Sequence, residues 1–217
     1  MRRWETVYFR GIAKERKYEK KLGSIGTHRH VMPDNFCRNT DCSAETADSA
    51  KQVDIVFTHD THSHLNTFTT IVDEAEKEVG GFARINTLIQ EQKAKNPDTM
   101  VIDGGDFSMG TLIQTVFETQ AAEIRMLGYM GCDVTTLGNH EFDYRSKGLA
   151  NMLNSAAESG DDLPAMVVCN VDWESMEAAG LSEGQQLIRD AFDEYGVSDY
   201  VVLEKGDTDI AVVGAFW

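Results

Sequence analysis

Hydrophobic and polar residues form repeating blocks from residue 53 onward, and the blocks predict strands and helices in alternation. Short apolar runs rich in Val, Ile and Met are typical of buried strands, whereas apolar residues spaced three or four apart indicate one face of a helix. The runs predict strands at residues 53–58, 100–103, 134–137 and 165–169, and a hairpin at residues 200–214 that turns at Gly206-Asp207.

Helices are predicted between these strands. The first begins at Gly80-Gly81 with Phe82, Ile85, Leu88 and Ile89 on one face, and the others lie at residues 118–130, 149–156 and 185–195. Alternation of strands and helices predicts an α/β fold in which ligands gather at the carboxyl ends of the strands.

The first 52 residues have a different character. Residues 1–30 contain nine Lys or Arg and three Glu without a clear period, which favours a loose arm or a short helix. Residues 33–52 are small and polar, as in a linker. We therefore predict a basic arm and linker at residues 1–52 and one domain at residues 53–217.

The net charge of the chain limits the kinds of ligand that it can bind. The chain has a formal net charge of -16, and the nine basic residues of the arm leave 11 basic against 33 acidic side chains from residue 31 onward. Such a surface repels a phosphate backbone, which excludes a nucleic-acid polymer as the ligand. A small phosphorylated substrate remains compatible if bound metal ions reverse the local sign of the potential.

The sequence also bears on location. No stretch approaches the roughly 20 apolar residues of a membrane span. The N-terminus has the positive charges of a secretory signal without its apolar core. We therefore expect a cytoplasmic protein with no membrane span.

Metal-ligand residue types follow three of the predicted strands. Asp60 and His62 come after the first strand, and residues two apart share one side of an extended backbone. Asp106 comes after the second strand behind two glycines, which let the backbone turn sharply and approach an ion. Either feature alone also fits an ordinary polar loop.

The turn after the third strand is the most specific of the three. Asn139 offers an amide oxygen that can bind a metal without adding charge, and His140 is a candidate ligand or acid/base group. Asp143 is close enough in sequence to orient the His140 ring. Three such turns in order, each at a strand end, predict a metal centre.

These turns resemble the D-x-H, G-D and G-N-H-[ED] motifs of the calcineurin-like metallophosphoesterases. The closer similarity is to the bacterial 5′-nucleotidase and 2′,3′-cyclic-nucleotide phosphodiesterase branch, and it extends over residues 53–217. The segments that carry it are Thr58 to Leu65, Gly80 to Arg84, Asp103 to Thr111 and Leu137 to Asp143.

The resemblance implies a layered α-β-β-α sandwich and a hydrolase of nucleotides or small phosphoesters that uses two divalent ions of the Mn, Zn, Fe or Co type. By similarity, Asp60 and His62 hold the first ion, Asp106 bridges both, and Asn139 holds the second. A metal-held hydroxide would attack phosphorus.

The resemblance also assigns the catalytic residues. His140, oriented by Asp143, would stabilise the transition state or protonate the leaving alkoxide. Relatives of this kind often carry an export signal. The resemblance therefore favours a location outside the cytoplasm, whereas the N-terminus of this chain does not.

This chain departs from the family pattern in its ligands. The family completes its site with further histidines. No histidine follows His140 in this sequence, so Asp106 and Asn139 are the only candidate ligands for the second ion. We therefore expect the N-terminal portion of such an enzyme, with the sandwich incomplete at the C-terminus. An exposed sheet edge there would favour self-association.

Two alternatives stay open at this point. One is an inactive, metal-binding fragment of the same fold. The other takes His62 and His64 as the H-x-H opening of an amidohydrolase or PHP-type metal hydrolase, which predicts that Asp106 and Asn139 lie more than about 8 Å from His62, since dinuclear sites hold their ions about 3.5–4 Å apart.

Overall fold

The computed structural model describes residues 5–7 and 52–215, and its strands follow the predicted order with additions. The strands are β1 (Glu5–Val7), β2 (Ile55–Thr58), β3 (Phe68–Val72), β4 (Ala75–Val79), β5 (Met100–Asp103), β6 (Val134–Thr135), β7 (Ala165–Met166), β8 (Tyr200–Lys205) and β9 (Thr208–Val213).

Six α-helices connect or flank these strands in the described part of the chain. They are α1 (Phe82–Lys95), α2 (Phe117–Gln120), α3 (Ala122–Tyr129), α4 (Arg145–Ala157), α5 (Trp173–Ala179) and α6 (Glu183–Tyr195). Short 3-10 turns cover Leu112–Val116 and His140–Phe142.

A parallel sheet in the order β2-β5-β6-β7 positions the candidate site. Thr58 at the end of β2 pairs with Asp103 at the end of β5, and Ile102 pairs with Val134 in β6. Because the strands run parallel, the turns that follow β2, β5 and β6 emerge at one edge of the sheet. The prediction of an α/β fold with ligands at the strand ends is confirmed.

The core has two parts, one on each face of this sheet. The larger cluster packs Val101 of β5 against helices α1, α3, α4 and α6 through residues such as Phe82, Ile124, Leu149 and Phe192. The smaller cluster lies between the parallel sheet and a second sheet of order β1-β9-β8, and contains Met100, Ile102, Val134, Val167, Ile210 and Val212. The described residues thus form an α-β-β arrangement, three of the four layers expected.

The predicted hairpin at residues 200–214 is confirmed as the β8–β9 pair. The arm, in contrast, contains a strand that its sequence did not predict: Glu5–Val7 pair in parallel with Ile210 to Val212 of β9. The rest of the arm and linker up to residue 51 lies outside the described residues, and the division of the chain at residue 52 stays a prediction, as does self-association through a sheet edge.

The prediction of one continuous helix at residues 118–130 is wrong. Ala121 adopts a left-handed conformation with φ 46°, and this residue separates α2 from α3. The buried residues of α3 are Glu123, Ile124, Leu127 and Gly128, and Met130 directly after the helix is also buried. Helical spacing alone could not show the break, because alanine is the best helix former.

The sequence also missed a second hairpin, formed by β3 and β4. Its strands pair from Phe68–Val79 to Val72–Ala75 around a turn at Asp73 and Glu74, both with positive φ. Nearly all of its residues are exposed, so the strands lack the apolar pattern by which buried strands are found.

Leu88 is 50% exposed, although helical spacing placed it on one face with Phe82, Ile85 and Ile89. Across the residues described, no helix has the length and apolarity that crossing a membrane requires.

Close packing of α3 yields a first prediction. Gly128→Ala should destabilise the fold by about 1–3 kcal/mol, because the added methyl group would overlap the backbone carbonyl oxygen of Asp162. An unhindered helical Gly→Ala change would instead stabilise by about 1 kcal/mol. Chemical denaturation of both proteins measures the sign.

Gly184→Ala in α6 is the matched control. The nearest atom to its new methyl group would be Ser146 Oγ at 2.9 Å, the end of a side chain that can rotate away. We expect a change within about 0.5 kcal/mol or a slight gain. Equal losses in both variants would contradict the packing argument.

Candidate active site

The first turn of the site follows β2 and has an unusual backbone. Asp60, His62 and Ser63 all have positive φ, at 51°, 46° and 54°. This left-handed region is disfavoured for residues other than glycine, so the turn needs support from outside. The backbone amides of Asp60, His62 and Ser63 donate to the carbonyl groups of residues 105–107 at 3.0, 3.1 and 2.8 Å.

Hydrogen bonding fixes the ring of His62. Its Nδ1 lies 3.1 Å from the carbonyl oxygen of Ser108, which can only accept, so Nδ1 carries the proton and donates. Nε2 is then left with a lone pair for a metal ion. Gly110 packs so closely on the backbone of His62 that a side chain there would overlap it.

The three residues that are candidate ligands of the first ion lie close together. Asp60, His62 and Asp106 each offer one ligand atom, and these atoms all lie within 4.8 Å of one another. This closeness contradicts the amidohydrolase interpretation, which required Asp106 to lie far from His62.

The turn after β6 meets the turn after β5. Gly105 has φ 86°, and a side chain on it would stand 2.7 Å from the backbone nitrogen of Gly138. The His140 amide donates to Asp106 Oδ1 at 2.9 Å. A terminal atom of the Asn139 side-chain amide lies 3.1 Å from the other Asp106 oxygen. Asn139 is therefore next to the carboxylate that is the candidate bridge between two ions.

His140 and Asp143 form the predicted pair. His140 Nδ1 lies 2.8 Å from Asp143 Oδ2. This hydrogen bond is the largest cause of a raised pKa of His140; burial acts in the opposite direction, and the negative charge of Asp143 raises the pKa further. The ring centroids of His140 and His62 are 5.0 Å apart, so the pair borders the proposed metal centre.

Two neighbouring histidines and one aspartate lie outside the three-residue cluster. His59 Nδ1 is 2.8 Å from Asp60 Oδ2, where it can orient a proposed ligand without being one. His64 Nδ1 lies 3.2 Å from the carbonyl oxygen of Thr61. Asp103 is 1% exposed within β5, as its strand position predicted.

Glu141 is the residue whose role the sequence did not reveal. Its buried carboxylate accepts four hydrogen bonds. Oε1 accepts from the Ser108 amide (3.0 Å) and hydroxyl (2.7 Å), and Oε2 accepts from the amides of Asp106 (3.0 Å) and Gly138 (2.7 Å). The acidic residue after Asn-His was visible in the motif, but nothing in the sequence shows that it binds two backbone turns.

Comparison with known proteins identifies relatives of this arrangement. The sequence profile described as calcineurin-like phosphoesterase matches residues 53–210. A probable 5′-nucleotidase of Treponema pallidum is 33% identical over 107 residues, which are 48% of this chain and 18% of that protein. The trifunctional nucleotide phosphoesterase protein YfkN of Bacillus subtilis is 28% identical over 172 residues, 74% of this chain and 11% of that protein.

Solved structures share the fold. The 5′-nucleotidase precursor from Thermus thermophilus matches with a TM-score of 0.58 and 25% identity, covering 76% of this chain and 28% of that one. NAD nucleotidase of Haemophilus influenzae matches in fold with a TM-score of 0.56 and 23% identity, covering 76% and 26%. The chain thus spans less than a third of the length of these proteins.

The Glu141 contacts generate a second prediction. Glu141→Gln should lower the free energy of unfolding by about 2–3 kcal/mol, since the carboxamide NH₂ group must face a buried amide donor that loses its acceptor. Denaturation in the absence of metal measures this loss. Glu118→Gln is the matched control, because the Glu118 side chain accepts one bond, from Asn151, that a glutamine oxygen can also accept. Equal stability of the two variants would contradict this role for Glu141.

Asp103 generates a prediction about pH. Burial raises its pKa from 3.8 to about 6, although Thr58, Gly105 and Thr135 donate to it. The folded chain therefore favours the protonated acid, and stability from this group is present below about pH 4 and lost as pH rises through 6. Relative to Asp103→Asn, the unmodified protein should lose up to about 3 kcal/mol between pH 4 and 7.5.

Denaturant titrations of both proteins at a series of pH values measure this difference. The comparison with asparagine cancels the contribution of the other titrating groups. A constant difference across the pH range would show that Asp103 titrates normally.

Proposed function

The chain belongs to the calcineurin-like phosphoesterase family, and we propose that it is a metal-dependent hydrolase of nucleotide phosphoesters. The observation that carries the proposal is the convergence of Asp60, His62 and Asp106 within 4.8 Å. Relatives named as 5′-nucleotidases and as a nucleotide phosphoesterase support the substrate class.

The residues present fit a divalent cation. Two carboxylates and one imidazole suit borderline ions of the Mn, Zn, Fe or Co type. We propose that Asp60 and His62 hold a first ion, that Asp106 bridges to a second, and that Asn139 binds the second ion. When bound, such ions neutralise phosphoryl oxygens and lower the pKa of coordinated water.

His140 is the proposed proton donor to the leaving group. Asp143 holds Nδ1 of the ring at 2.8 Å, which leaves Nε2 to carry the proton that is transferred. The same contact raises the pKa of His140 and so favours the protonated form that a general acid requires. Asp143 keeps the ring oriented and does not itself give up a proton.

Charge explains why metal ions are indispensable to this proposal. Residues from 31 onward carry a net charge of -22, from 11 basic and 33 acidic side chains, so an anionic substrate meets a repulsive surface. Cations bound by Asp60 and Asp106 would invert the potential at the site. The residues of the chain supply geometry and the proton, and the cations supply attraction for phosphate.

The second candidate is a protein of this fold that binds one ion and does not catalyse. The grouping of ligands favours it, since one group of three ligand atoms, from Asp60, His62 and Asp106, is found among the described residues. Calorimetric titration with Mn²⁺ separates the two, because the catalytic proposal requires two ions per chain and the alternative requires one.

The activity prediction uses p-nitrophenyl phosphate, bis-p-nitrophenyl phosphate and AMP with added Mn²⁺. His140→Ala should lower kcat by about 10²- to 10⁴-fold, and Asp143→Asn should lower it less. His64→Ala is the matched control, since His64 lies outside the cluster, and its kcat should be unchanged. Hydrolysis that survives both His140→Ala and chelation would overturn the proposal.

A further inference from the structure

We infer that Glu123 is a positioning residue for the metal centre, which fixes the turn carrying Asp60 and His62 by accepting a hydrogen bond from Ser63. Glu123 lies in α3, a segment to which the motifs assign no role. The inference rests on the proposed function, because it concerns how the same site binds its cation.

The contact is buried and long-range. Ser63 Oγ donates to Glu123 Oε1 at 2.7 Å across 60 residues of sequence. Ser63 is 0% exposed and Glu123 is 1% exposed, so water does not compete for the bond. A hydrogen bond to a carboxylate in such surroundings is among the stronger ones in proteins.

The turn needs this kind of support. Asp60, His62 and Ser63 are non-glycine residues in the left-handed region, and their amides are held from one side by the backbone of residues 105–107. Thr111 also donates its hydroxyl to the Ser63 carbonyl oxygen at 2.6 Å. Glu123 holds the Ser63 side chain, which these backbone contacts do not engage.

The position of Glu123 in α3 joins a favourable and a costly feature. It stands in the first turn, where the helix dipole favours a carboxylate, and on the buried face with Ile124 and Leu127, where burial disfavours one. Its Oε2 contacts no hydrogen-bond donor among the described residues. Burial raises the pKa of Glu123, which reflects the cost of placing an acid there. The bond to Ser63 is the one contribution of this group that reaches the site.

Ser63 follows His62 directly, so movement of Ser63 moves the imidazole. Asp60 belongs to the same turn and would move with it. Since ligand atoms must stay within a few tenths of an ångström of their places, loss of the contact should weaken cation binding without removing a ligand.

Isothermal titration of the full chain with Mn²⁺ tests the inference. We expect Glu123→Ala and Ser63→Ala each to raise the Kd of the tighter site about 10- to 100-fold, while Glu123→Gln, which keeps an acceptor for Ser63, restores most of the affinity. The double variant Ser63→Ala/Glu123→Ala should bind no more weakly than the weaker single variant, because both changes remove the same bond.

Ile124→Val is the matched control for general weakening of α3. It removes buried volume from the neighbouring position and should leave the Kd unchanged. Near-UV circular dichroism before each titration confirms that the variants are folded. If Glu123→Ala does not fold, Ser63→Ala and Glu123→Gln still test the bond, because each keeps α3 nearly intact.

The outcomes separate this inference from the proposed function. Failure of the unmodified chain to bind Mn²⁺ would overturn the proposed function. Binding by the unmodified chain with an unchanged Kd in Glu123→Ala and Ser63→Ala would overturn the role of Glu123 alone. Equal weakening in Ile124→Val, or additive losses in the double variant, would show that Glu123 does not act through Ser63.

Discussion

The site depends on the carboxylate of Glu141, which accepts four hydrogen bonds from two turns. The turn after β5 presents the amides of Asp106 and Ser108, the turn after β6 presents the amide of Gly138, and these N–H groups need an acceptor between them. One anion provides it. Asp106 on the first turn and Asn139 on the second can therefore face the same point, although neither residue lies within a helix or a strand.

Buried acids recur beneath the other turns. Asp103 accepts from the Gly105 amide at 3.0 Å and from the hydroxyls of Thr58 and Thr135, and Glu123 accepts from Ser63. Each turn that carries a proposed ligand thus has a buried carboxyl group behind it. By the proposal above, such groups position the ligands, and their negative charge would add to the attraction for a cation. Burial makes the ionised form of such a group costly, as the raised pKa of Asp103 shows.

Much of this could be predicted from the sequence, and the reasons are physical. Strands β2 and β5 and the helix faces of α1 and α4 follow apolar periodicity, which burial imposes directly. Asp60, His62, Asp106 and Asn139 follow strand ends, so a parallel sheet brings them together. The break at Ala121 has no signal in the helical spacing, and the roles of Glu123 and Glu141 depend on contacts across 60 and 33 residues of sequence, which no local pattern records.

The parallel pairing of β2, β5 and β6 also determines when the site can form during folding. Thr58 reaches Asp103 across 45 residues, and the Glu141 contacts close loops of similar length. Such loops close late, because the chain loses entropy on closing them before the contacts form that stabilise the closed loop. In the unfolded chain only the Asp60–His62 pair is local, so a cation would bind there weakly and gain its other ligands as the sheet assembles. A bound cation would then slow unfolding and stabilise the native state, which couples the lifetime of the fold to the supply of the ion.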